Sequence, residues 1–73
     1  MPHIIVKLWP GKSEEQKIAL AERMVEAMKE IMMVEEKGIS IAFEEIEKGK
    51  WMEEVYSIDI TGKESQLYKK PGY

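Results

Sequence analysis

Residues 10–16 read Pro-Gly-Lys-Ser-Glu-Glu-Gln, and two different periodicities meet there. Upstream lies His3-Ile4-Ile5-Val6-Lys7-Leu8-Trp9, rich in β-branched and aromatic residues. Ile4, Val6 and Leu8 alternate onto one face with Ile5 on the other, which is the pattern of a strand. Apolar groups on both faces point to an interior strand rather than an exposed edge. Pro10-Gly11 then breaks the run as a turn. Downstream, Ser13 is followed three positions later by Gln16, the arrangement of a capping box. From there to about Met33, Ile18, Ala21, Val25, Met28 and Met32 recur at spacings of three and four, and Met24 and Ile31 widen the stripe. Glu22, Glu26, Lys29 and Glu30 fall off it. The spacing predicts a helix of roughly 30 Å at ~1.5 Å per residue, with its methionines as core packing. Lys37-Gly38 closes the segment.

Ile39-Ser40-Ile41-Ala42-Phe43 alternates cleanly and reads as a second strand, with Ile39, Ile41 and Phe43 toward the core. Strand, long helix, strand is a βαβ unit, whose strands lie parallel with a right-handed crossover. The expected class is therefore α/β (α+β), one domain over residues 1–73. Two strands and one helix cannot cover both faces and both edges of the sheet. A chain of 73 residues is also near the lower limit for a self-sufficient core. Copies of the chain are expected to complete the sheet. Beyond Glu44 the pattern is weaker. Glu47-Lys48-Gly49-Lys50 is a polar turn, and Trp51 to Tyr56 a short helical turn. Ser57 to Gln66 has no clear period, and Leu67 to Tyr73 forms a tail with two tyrosines bracketing Lys69-Lys70-Pro71-Gly72. The long tail past Trp51 favours a homodimer, with a hexamer as the alternative.

Composition narrows the function. There is no cysteine, which excludes disulfides and thiolate metal sites, and a single histidine excludes multi-histidine ones. Eleven basic against fourteen acidic residues, with no basic stripe, argue against a nucleic-acid partner. No apolar run approaches the ~18 residues of a membrane span, and a cytoplasmic location is the default. Gly11-Lys12-Ser13 lacks the upstream glycine of a phosphate loop. Glu44, Glu45 and Glu47 read as a solvated acidic face rather than a cation site, and His3 as a surface or packing residue. No metal and no cofactor are expected.

The remaining oddity is Pro2, a residue that cannot donate into a sheet yet stands at the head of a strand. Methionine before a small residue is ordinarily clipped, which would leave a free proline nitrogen. Such an amine is mostly protonated at neutral pH, since an α-amino group has a pKa near 8. A general base needs that value depressed by at least one unit, roughly 1.4 kcal/mol of bias against the charged form. An apolar wall and a nearby cation both achieve this. Trp51, Phe43 and Met52 are candidates for the wall, and Lys12 for the cation.

Three features together, Pro2 heading a strand, Pro-Gly-Lys-Ser-Glu-Glu-Gln opening the helix, and Ile-Ser-Ile-Ala-Phe-Glu-Glu-Ile after it, resemble the 4-oxalocrotonate tautomerase family. The tail Leu-Tyr-Lys-Lys-Pro-Gly-Tyr and Ile39 to Ala42 are similar to its dimeric PptA-like branch. The resemblance covers essentially the whole chain. It implies cofactor-free enol–keto tautomerisation of a small 2-hydroxy-dienoate or related 2-oxo acid, with the terminal proline moving the proton. Family members that act on dicarboxylates carry arginine at the positions of Lys12 and Ser40. Lysine keeps the charge without the bidentate grip, and serine keeps only a hydroxyl and a backbone N–H. The residue matching Trp51 lines the family's pocket. A monocarboxylate with an aromatic end, such as an arylpyruvate enol, suits this set better. Lys12 lies about 20 Å or more along the chain from its own Pro2 at ~3.3 Å per strand residue, so it could assist only the Pro2 of a neighbouring subunit. Ser40 begins near the Pro2 end. Two alternatives stay open. A protonated Pro2 could serve hydratase or dehalogenase chemistry, or the chain could be a non-enzymatic oligomeric binding module.

Overall fold

In the computed structural model, which describes Met1–Tyr73, strands β1 (His3–Leu8) and β2 (Ser40–Glu45) pair in parallel, in register from His3 opposite Ser40 to Leu8 opposite Glu45. Helix α1 (Glu14–Met32) makes the crossover between them. Its start is fixed as the sequence predicts. The Gln16 N–H donates to Ser13 Oγ at 3.1 Å, and the Ser13 N–H donates to Gln16 Oε1 at 2.9 Å. These bonds satisfy two donors that a helix N-terminus otherwise leaves orphaned. The helix ends at Met33, which adopts the left-handed conformation with φ 59°. That shape is costly for a side chain with a Cβ. A 3-10 turn at Glu36–Gly38 then leads into β2, so Lys37-Gly38 closes the loop after the helix rather than the helix itself.

Alternation along the strands assigns the two faces of the sheet. Phe43 meets Ile18 and Ala21 of α1, and its register partner Val6 shares that face. Ile5 and Lys7 point the other way, toward a C-terminal helical segment that the sequence shows only as a short turn. Here the chain winds through a 3-10 turn (Lys48–Lys50), a nine-residue π-helix α2 (Met52–Ile60) and a further 3-10 stretch (Thr61–Gln66). The π winding has local causes. Ser57 Oγ donates to the Glu53 carbonyl at 2.8 Å, a side-chain bond that competes for the helical acceptor. Gly62 approaches so closely that a Cβ there would stand 2.6 Å from the Ser57 carbonyl oxygen. Lys7 Nζ bonds Asp59 Oδ2 at 2.6 Å and ties α2 to β1.

Burial is sparse. Val55 of α2, 4% exposed, is the one buried residue. The α1 stripe is half-buried at Ala21, Met24, Val25 and Met28. Its ends are open, with Ile31 at 79% and the capping Met33 at 84% exposure. The stripe is therefore shorter than its periodicity suggests, because the two strands of one chain are narrower than the helix is long.

Candidate active site

Pro2 sits one residue before the ladder, half-buried. Its carbonyl accepts the Ser40 N–H at 3.2 Å, while Met1 projects fully into solvent. Beside it, His3 Nδ1 and Ser40 Oγ share a hydrogen bond of 2.7 Å. Pro2 and Ser40 are thus brought together, as parallel pairing requires of two strand starts.

The aromatic residues gather at the opposite end of the sheet. Trp9, at the exit of β1, faces Trp51 and Met52, which follow β2 by way of the Lys48–Lys50 turn. With Lys48 and Tyr73 they line a pocket of about 410 Å³. Trp51 Nε1–H donates to Tyr73 Oη at 2.8 Å, and the Tyr73 ring packs on Tyr56 with centroids 5.7 Å apart. The tail is thereby folded back over α2 to form one wall. Lys48 Nζ hangs 4.9 Å above the Trp9 ring, a cation–π distance.

Of the wall expected around Pro2, then, Trp51 and Met52 share a pocket with each other. That pocket lies a strand's length, about 20 Å, from Pro2 of the same chain. Phe43 is in neither place. It faces α1 beside Glu14, Lys17, Ile18 and Ala21, because odd residues of β2 point to the helix, so within one chain it is brought neither to Pro2 nor to the aromatic pocket. Lys12 is exposed on the loop after β1, at the aromatic end but outside the pocket lining. Sequence reasoning missed Trp9, Lys48 and Tyr73. Trp9 next to a Pro-Gly turn and a tail tyrosine were visible signals. Lys48 had none, being one charge in a polar turn.

The displaced ionisations belong to the scaffold. Asp59 is held below the usual carboxylate range, first by the hydrogen bond from Lys7 and then by its charge, against some desolvation. Lys7 is raised in return by that same bond. Lys17 is raised by hydrogen bonds to Glu14 and Glu45, which clip α1 to the end of β2.

Residues 2–61 match the family described as tautomerase enzyme. The chain belongs to the tautomerase family. A probable tautomerase of Xylella fastidiosa (strain 9a5c) is 38% identical over 73 residues, covering all of this chain and 89% of that one. Tautomerase PptA of Pectobacterium carotovorum is 40% identical over 74 residues, covering all of this chain and 97% of its own length. Two solved structures share the fold. One is YwhB, a homologue of 4-oxalocrotonate tautomerase, at TM-score 0.62 and 38% identity over 64% of this chain and 77% of that one. The other is TomN, a homologue from the tomaymycin biosynthetic pathway, at TM-score 0.65 and 28% identity over 68% of this chain and 77% of that one. As a tautomerase this chain is an isomerase, and its βαβ unit is the family's. No helix in it is long and apolar enough to cross a membrane.

Proposed function

We propose that this tautomerase interconverts the enol and keto forms of an arylpyruvate-type 2-oxo acid or a 2-hydroxy-dienoate, with the nitrogen of Pro2, freed by removal of Met1, as proton carrier. The Pro2 nitrogen takes the proton of the 2-hydroxyl. The C2–O bond becomes a carbonyl as the C2–C3 π electrons move to C3. The protonated nitrogen then delivers its proton to C3 (or, in a dienoate, to C5) and is regenerated. No external oxidant, reductant or cofactor enters that balance.

One observation carries this reading. Pro2 is half-buried and its carbonyl accepts the Ser40 N–H, so the start of the sheet holds the ring in place. Ser40 adjoins Pro2 through that bond, and in this reading its hydroxyl, now on His3, receives a substrate oxygen. Trp51 and Met52, together with Lys12, reach a Pro2 only from a second copy running in the opposite direction, and the reading therefore takes the working unit as a homodimer or larger ring. Near-complete exposure of Ile31 and Met33 in one chain supports assembly.

The test is ketonisation of phenylenolpyruvate and of 2-hydroxymuconate, followed by loss of enol absorbance, on protein whose mass shows a trimmed terminus. Turnover is expected, and acetylation of the proline nitrogen lowers it at least ~100-fold, the low end of general-base contributions. No turnover of either enol, or undiminished turnover after acetylation, refutes the reading.

A further inference from the structure

The aromatic pocket contains a cation with nothing to neutralise it. Lys7, Lys17, Lys29, Lys37, Lys63 and Lys70 each pair with a carboxylate at 4 Å or less. Lys12, Lys48, Lys50 and Lys69 pair with none, and of these four only Lys48 lines the aromatic pocket. It leans instead over Trp9, at the rim of a cavity whose other lining residues are Trp51, Met52, Tyr73 and Trp9 itself. A lysine on a tryptophan face is only partly desolvated, and its three donors stay available to an incoming anion.

We propose that Lys48 is the residue that receives the carboxylate of an aryl-bearing acid whose ring lies between Trp9, Trp51 and Met52, so that this pocket selects an aromatic monocarboxylate. The proposal rests on the tautomerase reading of the site and deepens it by naming a substrate-binding cation that neither the strand pattern nor the family motif supplies. Three features make the pocket suited to that occupant. Its volume, about 410 Å³, falls in the range of small-molecule sites. Its walls offer two indoles for offset or edge-to-face packing with a substrate ring. The Trp51 Nε1–H is already taken by Tyr73 Oη, so that indole offers the pocket no unmet donor, and an apolar ring costs it no hydrogen bond. Tyr73 is thereby a positioning residue for Trp51. Among the lining residues the charge recognition falls to Lys48 alone. A flexible lysine stem, unlike an arginine fork, accepts a single carboxylate without dictating its plane. A second carboxylate on the ligand would find only aromatic walls and pay its desolvation unpaired.

The experiment separates binding from turnover by using 3-phenylpropanoate, which has no enol to convert. Its dissociation constant is measured by titration calorimetry and tryptophan quenching, alongside that of uncharged 3-phenylpropanamide, for the full chain and for Lys48→Met, Lys48→Arg and Lys50→Met. The acid is expected to bind more tightly than the amide. Lys48→Met should weaken the acid at least ten-fold and leave the amide within two-fold; Lys48→Arg should restore most of the loss, and Lys50→Met should change neither. Equal affinity of the acid for Lys48→Met and the full chain overturns the proposal, as does an absence of saturable binding to the full chain. Binding with this pattern but no ketonisation of either enol would leave the pocket standing and sink the tautomerase reading. Ketonisation with a Lys48-independent KM would do the reverse.

Discussion

Val55→Ala probes the one fully covered apolar contact in the chain. Val55 is 4% exposed and lies with Ile5, Lys7, Asp59 and Lys63 where α2 meets β1. The substitution removes two methyl groups, worth about 0.8 kcal/mol each by transfer, and a partly collapsed cavity adds a few tenths more. A loss of about 2 kcal/mol follows. A chain of this length has about 4–11 kcal/mol in total at ~0.05–0.15 kcal/mol per residue, so a fifth to a half of its stability rests on that side chain. The corresponding fall in Tm is about 8–16 °C for a domain of this size. Urea unfolding at one fixed protein concentration measures it, with Ile58→Ala as the control. Ile58 is on the same helix, of similar chemistry, and 55% exposed, so its truncation should cost no more than about 0.5 kcal/mol. Equal losses for the two variants would refute the reasoning, because Ile58 would then be covered by something other than its own chain. The variant also has a functional readout. Val55 seats the helix that carries Trp51 and Met52 at its start and supports Tyr73 through Tyr56. Destabilisation at this point should therefore loosen ring binding before it disturbs Pro2 at the other end of the sheet.

The Lys7–Asp59 pair predicts an acid limb. An acid whose folded pKa is depressed stabilises the fold above its unfolded value near 3.9, and that contribution is lost as pH falls through the folded value. Asp59→Asn should therefore be less stable than the parent at pH 6 and converge with it toward pH 2; parallel curves of Tm against pH would contradict the assignment. Lys7, raised by the same bond, gives the mirror case, in which stabilisation persists through neutral pH and disappears only as strongly alkaline pH passes its folded value. At the active site, Trp51→Ala should admit water to the aromatic pocket and so favour the charged form of the amine working there. The acid limb of the kcat/KM profile is then expected to move up by about one pH unit, and a profile that stays in place argues that Trp51 does not face a working Pro2.

How much of this was legible in the sequence differs by element for physical reasons. β1, the Ser13–Gln16 cap and β2 were readable because each is governed by near neighbours: alternation of side chains, a hydroxyl three residues from the N–H it accepts, a Pro-Gly break. The C-terminal segment was not. Trp51 to Tyr56 carries a local helical signal, but the stretch from Met52 to Ile60 winds with a π period, which a search at 3.6 residues per turn passes over. Its continuation depends on Asp59 meeting Lys7, a partner 52 residues away. Tyr73 was likewise visible as a residue and invisible as a wall, since its place is set by Trp51 and Tyr56 rather than by its sequence neighbours.

The distribution of the site follows from the βαβ topology itself. Parallel strands put both of their starts at one end and both of their exits at the other. Pro2 and Ser40 begin strands, whereas Trp9, Lys48, Trp51 and Met52 follow strand exits. No adjustment of loops in a single chain can bring the second group to the first, because six paired residues hold them about a strand's length apart. A site that uses both groups must be built by two chains whose strands oppose each other. The arrangement has a kinetic consequence that a one-chain site lacks. Mixing a Pro2→Thr variant with a Trp51→Ala variant should regenerate intact sites at those junctions that receive Pro2 from one parent and Trp51 from the other. In a dimer formed at random, half of the molecules are hybrids with one intact site of two, so a quarter of the full activity should return from two parents that are each impaired. If every mixture shows only the average of its parents, Pro2 and Trp51 do not meet across an interface.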